Sequence, residues 1–142
     1  MDVVKWNDSY KTGNVVVDTQ HEHLFRMVNE LHATILEEKG HDIIGPILEQ
    51  LAGYVMEHYR SEEALMTQVR YPGFAEHKRK HEELTKEVKD LVKKYRSRQV
   101  TLTLTLSKFL ANWLQHHIKE EDMALIRYCQ SQPRCKASAA KA

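Results

Sequence analysis

Apolar side chains recur every three or four positions along four long segments of the chain, which is the period of an amphipathic helix. The connections between these segments hold most of the glycines and prolines. The first helix is predicted to begin at Asp18 or Thr19, because Thr19 and Glu22 stand at capping-box spacing, and to end near Lys39 and Gly40. Two more helices are predicted, one that follows Asp42 and Pro46 and ends before Tyr71, and one from Phe74 to Tyr95.

The fourth segment allows two local interpretations. Residues Val100 to Leu106 alternate Val-Thr-Leu-Thr-Leu-Thr-Leu, the pattern of a strand, but the leucines continue at helical spacing through Leu110 and Trp113 to His117. A lone strand has no second strand with which to pair its backbone. We therefore favour a fourth helix.

Four amphipathic helices joined by short connections predict an all-α fold, an antiparallel up-down-up-down four-helix bundle. We expect residues 1–130 to form the bundle, with an N-terminal arm over residues 1–17 that carries Trp6 and Tyr10. Residues 131–142 are rich in Ser, Lys and Ala, which predicts a flexible tail.

Composition and charge exclude several classes of function. The chain has 142 residues, with 21 basic and 20 acidic side chains and a formal net charge of +1, which argues against binding to nucleic acid. We expect no secretory signal, because residues 1–10 carry charges and no apolar core region, and no apolar run reaches the length of a membrane helix. The spacing of Cys129 and Cys135 indicates neither a disulfide framework nor a zinc motif. We therefore expect a cytoplasmic protein and a monomer.

The most informative pattern is a set of histidines and carboxylates on these helices. Residues four apart share a helix face, so His58 with Glu62 and His77 with His81 each form a pair of candidate ligands for one metal ion. His117 adds a further site on the fourth helix, and His21 stands alone on the first. One such pair arises easily by chance in a chain with nine histidines, but one cluster per predicted helix does not.

Burying these groups in an apolar core requires a compensating charge, because an unpaired buried carboxylate costs several kcal/mol. Five imidazoles and two carboxylates exceed what one octahedral ion can hold once solvent is admitted, so two first-row metal ions fit better, with iron or manganese favoured. The choice between Asp122 and Glu121 as the last ligand stays open at this point. Asp122 lies five residues after His117, about 140° beyond a full turn, so Glu121 is the better choice unless the helix widens locally, as in a π-bulge, or the aspartate reaches in from a flank.

The remaining four histidines are left out of the site. His32 lies on the apolar stripe of the first helix without an ionisable partner, so we expect a hydrogen-bonded core residue. His23 and His41 are expected to face solvent, His41 in a loop, and His116 is one position off the inward stripe.

Over residues 6 to 128 the chain resembles the hemerythrin family, and bacteriohemerythrins in particular. The matching motifs are Asp18-Thr19-Gln20-His21, His58-x-x-x-Glu62, His77-x-x-x-His81 and Trp113-Leu114-x-x-His117-Ile118-x-x-x-Asp122. The family motif in the fourth helix is a histidine followed five residues later by an aspartate. The resemblance therefore favours Asp122 over Glu121 and His117 over His116.

This resemblance implies a non-haem di-iron centre. His77, His81 and His117 would bind one iron, His21 and His58 the other, and Glu62 and Asp122 would bridge them together with a solvent-derived oxygen. O₂ would bind at the open position of the second iron and rest there as hydroperoxide. The resemblance also assigns an apolar O₂ pocket, which comprises Phe25, Trp113, Leu114 and Ile118, with Tyr59 as a further candidate.

The expected function is reversible O₂ binding without enzymatic turnover. Imidazole-rich ligation suits reversible binding, whereas carboxylate-rich sites with Glu-x-x-His pairs favour oxygen activation, and no inward-facing pair of that kind occurs here. The alternatives are O₂ or redox sensing with a partner protein, a di-iron peroxidase or oxidase, and detoxification of iron or nitric oxide. A redox partner or an O₂-consuming enzyme is the expected protein partner.

Overall fold

Four long helices form the bundle in a computed structural model that describes residues 2–99 and 104–132. Helices α1 (Val15–Leu36), α2 (His41–Gln68) and α3 (Phe74–Arg96) are continuous. The fourth begins as α4 (Leu104–His117), passes through a π-helical turn (Ile118–Asp122) and continues as α5 (Met123–Gln130). The described residues contain no strand, so the predicted all-α four-helix bundle is confirmed.

Helix α1 starts earlier than the capping-box pattern predicted. The side chain of Asn14 caps the helix by accepting a hydrogen bond from the backbone N–H of Val17 at 3.1 Å, so the expectation of a start at Asp18 or Thr19 was wrong. Asp18 instead accepts hydrogen bonds from the backbone N–H and the hydroxyl of Thr12. It therefore ties the arm to the first turn of the helix.

The N-terminal arm packs its aromatic residues against α1. The ring of Phe25 makes edge contacts with Trp6 at 5.3 Å and with Tyr10 at 4.9 Å between centroids. Asn29 accepts hydrogen bonds from the backbone N–H groups of Val3 and Val4. These contacts extend the apolar core beyond the four helices.

The fourth helix is helical throughout its described length. Leu104 and Leu106 lie in α4, where the local sequence alternates like a strand, because the helical leucine stripe continues into the core. Val100, Leu102, Cys135 and the tail from residue 133 onward lie outside the described residues. Among the helices that are described, none combines the length and apolarity needed to span a lipid bilayer.

The histidines left out of the site have separate roles. His32 is buried, and its Nδ1 lies 2.6 Å from the hydroxyl of Ser107, so the prediction of a hydrogen-bonded core histidine is confirmed. The expectation of a solvent-facing loop for His41 was wrong. It is the first residue of α2, and its Nε2 lies 2.6 Å from the carbonyl oxygen of Tyr95 at the end of α3. His23 is half-buried against Tyr54, and His116 is exposed.

Candidate metal centre

The bundle brings all seven side chains of the sequence pattern into one buried cluster. One comes from α1, two from α2, two from α3 and two from the fourth helix. They meet because the inward-facing polar residues of the four helices lie at the same height along the bundle. Every one of them is at most 4% exposed. The residues are His21, His58, Glu62, His77, His81, His117 and Asp122.

The ligand atoms of the cluster divide into two sets, and within each set all the atoms lie within 4.8 Å of one another. One set holds three histidines, His77, His81 and His117, and the other holds His21 and His58. Both sets include Glu62 and Asp122. We call them the three-histidine set and the two-histidine set.

The imidazoles approach one another at the spacing that a shared ion would impose. The Nε2 atoms of His81 and His117 are 3.1 Å apart, and those of His21 and His58 are also 3.1 Å apart. Two nitrogens about 2.1 Å from one ion and at right angles to each other would be about 3.0 Å apart. The nitrogens in each set are therefore placed as neighbouring ligands of one ion.

The two carboxylates connect the sets. Oδ1 of Asp122 lies 3.1 Å from Nε2 of His77 and 3.0 Å from Nε2 of His117, whereas its Oδ2 lies 2.8 Å from Nε2 of His21. Asp122 therefore presents one oxygen to each set. Glu62 uses a single oxygen, since its Oε1 lies 3.4 Å from Nε2 of His58 and 3.1 Å from Nε2 of His81.

Several inward atoms of the cluster lack hydrogen bonds in the described part of the chain. Both oxygens of Glu62, Oδ1 of Asp122 and Nε2 of His77 are buried and have no hydrogen-bond partner there. Buried polar atoms are nearly always satisfied, so atoms that converge without bonding one another indicate a missing partner between them. Imidazole nitrogens with carboxylate oxygens are a donor set for first-row metals. The residues present therefore fit a pair of such ions.

The charges of the cluster are strongly coupled. Burial alone would lower the pKa of His77, but the nearby carboxylates of Asp122 and Glu62 raise it to about 9. The carboxylates likewise raise the pKa of His58 and of His117 against the effect of burial. Burial would raise the pKa of Glu62 and Asp122, yet the surrounding imidazoles hold both below the usual range. Without metal, protons on the imidazoles compensate the buried carboxylates.

The π-helical turn is what brings Asp122 into the cluster. In a regular α-helix, residues 117 and 122 point about 140° apart, but a π turn pairs residues five apart and aligns them. Glu121 then lies outside, where it forms an ion pair with Lys80 and its Oε2 is 3.5 Å from Nδ1 of His117. The geometry thus brings Asp122, and not Glu121, to both sets.

Three residues lie behind the cluster, and the sequence pattern missed two of them, Gln20 and Glu63. Oε2 of Glu63 lies 3.1 Å from Nδ1 of His81, and Oε1 of Gln20 lies 2.7 Å from Nδ1 of His58. Glu121 is the third, next to His117. Gln20 and Glu63 are direct neighbours in sequence of His21 and Glu62, but helical spacing does not reveal which neighbour reaches across to another helix.

An apolar cavity of about 40 Å³ lies against the cluster. His58 and His117 line it from the cluster side, and Trp113, Leu114 and Tyr59 line it from the fourth helix and α2. The other lining residues are Leu24, Val28, Leu48, Leu51, Val55, Leu84, Val88, Leu91 and Leu110. Phe25 and Ile118 are buried in the neighbouring core and do not line this cavity, so the structure groups only part of the predicted O₂ pocket.

Comparisons with known sequences match most of the chain to one family. A sequence profile of the Hemerythrin HHE cation binding domain matches residues 12–129. Bacteriohemerythrin from Methylococcus capsulatus is 34% identical over 123 residues, which are 86% of this chain and 93% of that protein. Bacteriohemerythrin from Stenotrophomonas maltophilia is 31% identical over 126 residues, which are 87% of this chain and 80% of that protein.

Solved structures share the fold as well. A crystal structure of wild-type hemerythrin has a TM-score of 0.81 at 33% identity and covers 85% of this chain and 93% of its own. The crystal structure of a hemerythrin point mutant reaches a TM-score of 0.85 at 32% identity, with coverages of 90% and 98%. With most of its length matched by both sequence and structure, the chain belongs to the hemerythrin family.

Proposed function

We propose that this chain binds O₂ reversibly at a di-iron centre and serves as a carrier, store or deliverer of O₂. The family to which it belongs binds O₂ at a di-iron site. The observation that carries the proposal is the sharing of Glu62 and Asp122 by two sets of buried imidazole nitrogens. Such an arrangement holds two ions close together and leaves one of them with fewer protein ligands.

The seven residues would act in three groups. His77, His81 and His117 would hold one iron, His21 and His58 would hold the other, and Glu62 and Asp122 would contact both. The pair of ferrous ions would supply the two electrons and the open position that reversible O₂ binding requires. Because His21 and His58 are two ligands where the other set offers three, the iron that they would hold is the one with fewer protein ligands.

The apolar cavity supports binding rather than catalysis. Its volume of about 40 Å³ is enough for a small diatomic molecule, and its lining is almost entirely aliphatic and aromatic. An apolar lining excludes water and so limits the supply of protons at the site. A site with few protons releases reduced oxygen, which would leave the irons oxidised, more slowly. Burial also raises the pKa of the Tyr59 phenol well above its usual range, which keeps that side chain neutral.

The deciding experiment is a cycle of O₂ exposure. The iron-loaded protein is reduced without O₂, O₂ is admitted and then removed, and the visible spectrum is recorded throughout. A charge-transfer band that appears with O₂ and disappears on its removal supports carriage. Immediate irreversible oxidation with turnover of added reductant would contradict it and would favour a peroxidase or oxidase, an alternative that also needs a proton donor near the metals.

A ligand variant tests the assignment of the second iron. His58→Ala is expected to lose one iron and O₂ binding while the bundle stays helical, because His58 belongs to the two-histidine set alone. Iron is counted by elemental analysis and helicity by circular dichroism. His32→Ala, which changes a buried histidine outside the cluster, is the matched control and should keep two irons. Two irons in His58→Ala would contradict the assignment.

A further inference from the structure

The outward nitrogens of the cluster histidines have different partners in the two sets. In the three-histidine set, carboxylates lie behind two of the three imidazoles. Oε2 of Glu63 is 3.1 Å from Nδ1 of His81, and Oε2 of Glu121 is 3.5 Å from Nδ1 of His117. These carboxylates are largely shielded from water, with 26% of the Glu63 side chain and 14% of the Glu121 side chain exposed.

In the two-histidine set the partners are neutral. Nδ1 of His58 donates to the amide oxygen of Gln20 at 2.7 Å, and the amide nitrogen of Gln20 in turn donates to the hydroxyl of Ser61 at 3.3 Å. Nδ1 of His21 is buried and has no hydrogen-bond partner in the described part of the chain. Negative charge therefore stands behind one set and not behind the other.

This difference affects the metals through their ligands. A carboxylate that accepts the Nδ1–H of a metal-bound imidazole gives the ring anionic character and makes it a stronger donor, whereas an amide does so much less. A stronger donor stabilises the ferric state relative to the ferrous state. The iron held by the three-histidine set should therefore have the lower reduction potential.

The two carboxylates should not contribute equally. Lys80 forms an ion pair with Glu121 and compensates part of its charge. Glu63 has no lysine or arginine ion-pair partner within the described ranges, and its carboxylate is closer to its histidine than that of Glu121. Glu63 should therefore have a larger effect on the donor strength of its histidine than Glu121 has.

We propose that Glu63, hydrogen-bonded to His81, and Gln20, hydrogen-bonded to His58, are positioning residues that set different reduction potentials for the two irons. The inference rests on the proposed di-iron centre. It assigns the chain a built-in order of oxidation, in which the iron of the three-histidine set gives up its electron first.

Reciprocal variants of nearly equal shape test this inference. Glu63→Gln removes the charge and keeps an acceptor for Nδ1 of His81, and Gln20→Glu adds a charge behind His58. Both are loaded with iron and titrated electrochemically without O₂, and the half-reduced state is examined by Mössbauer spectroscopy, which reports the valence of each iron.

The two variants should move the potentials in opposite directions. Glu63→Gln is expected to raise the reduction potential of the iron that is oxidised first by about 59 mV. For one electron this is about a tenfold change in the ferric-to-ferrous ratio. Gln20→Glu is expected to lower the potential of the other iron, and Glu121→Gln should act like Glu63→Gln but less. Glu82→Gln, an exposed neighbour in the same surface groove as Glu63, should leave both potentials unchanged.

The outcomes separate this inference from the proposed function. Equal shifts in Glu63→Gln and Glu82→Gln, or shifts of the same sign in both reciprocal variants, would overturn the inference and leave the di-iron centre intact. If the Glu63→Gln variant binds no iron, the direction in which Gln20→Glu shifts the reduction potential still tests the inference. If the iron-loaded chain does not bind O₂, the proposed function is wrong, but the potentials are measured without O₂ and still test the inference. A wild-type chain that holds no iron would overturn both the proposed function and the inference.

Discussion

The interior of the bundle contains two regions that treat buried polar groups in opposite ways. Around His32 the core is apolar and its one imidazole is satisfied, because His32 donates to the Ser107 hydroxyl, which itself donates to the carbonyl of Leu104. In the metal centre, ligand atoms converge at about 3 Å and several of them remain without hydrogen bonds. A buried histidine occurs in both regions, so burial of a histidine does not by itself identify a ligand, whereas the convergence of unsatisfied ligand atoms does.

The largest expected effect removes the connection between the two sets of ligands. Asp122→Ala should lose both irons, because Asp122 presents Oδ1 to one set and Oδ2 to the other. Iron per chain is measured by elemental analysis, with helicity checked by circular dichroism. Glu120→Ala, an exposed neighbour paired with His116, is the control and should keep two irons. A full complement of iron in Asp122→Ala would show that the carboxylate is not shared.

A substitution in the apolar region should change stability and not iron content. Leu48 is 2% exposed and lines the cavity, so Leu48→Ala should lower the free energy of unfolding by about 2–5 kcal/mol. Urea unfolding of the metal-free protein measures this change, and the iron content should remain that of the wild type. Loss of iron in this variant would mean that the two regions are not independent.

The metal centre should respond to pH, with opposite signs for metal binding and for metal-free stability. The pKa of His77 is about 9 in the metal-free fold, so each pH unit between about 6 and 8 should strengthen Fe(II) binding about tenfold for this one displaced proton. The unfolded imidazole titrates near 6.5. Its folded-state proton therefore stabilises the metal-free protein fully below that pH, and this stabilisation is lost as the pH rises toward 9.

Two measurements check this pair of signs. A competitive chelator titration at several pH values gives the affinity for Fe(II), and thermal unfolding of the metal-free protein gives its stability. His77→Gln should flatten both dependences. Metal-free stability that increases between about pH 7 and 9 would contradict the charge assignment.

The smallest effect concerns the satisfied histidine. Ser107→Ala leaves the buried Nδ1–H of His32 without an acceptor and should destabilise the fold by about 1–3 kcal/mol. Iron content should not change. Ser97→Ala, an exposed serine at the end of α3, should change stability by less than about 0.5 kcal/mol. If Ser107→Ala is equally neutral, the hydroxyl does not satisfy His32 in the way described.

Much of the fold could be predicted because periodicity reports which face of a helix is buried. The bodies of the four helices and the ligand pairs that begin at His58 and His77 follow from that signal alone. Helix ends depend on local hydrogen bonds instead. Asn14 caps the start of α1 although Thr19 and Glu22 have the capping-box spacing. His41 is the first residue of α2, and its side chain hydrogen-bonds to the carbonyl of Tyr95 on α3.

The candidate site could be predicted only as far as its inward layer. A helical stripe specifies the residues that face the centre, but it does not specify what lies behind them on a neighbouring helix. Glu63 follows Glu62 in sequence, yet its partner is His81 on α3, and Gln20 reaches from α1 to His58 on α2. Such contacts depend on the packing distance between helices, which the sequence pattern does not contain.

The π-helical turn also changes the register of everything that follows it. A π turn pairs residues five apart rather than four, so it holds one residue more than a regular turn. The turn thus acts as a one-residue insertion absorbed inside the helix. The extra residue rotates α5 relative to α4, and it does so at the point where Asp122 enters the cluster.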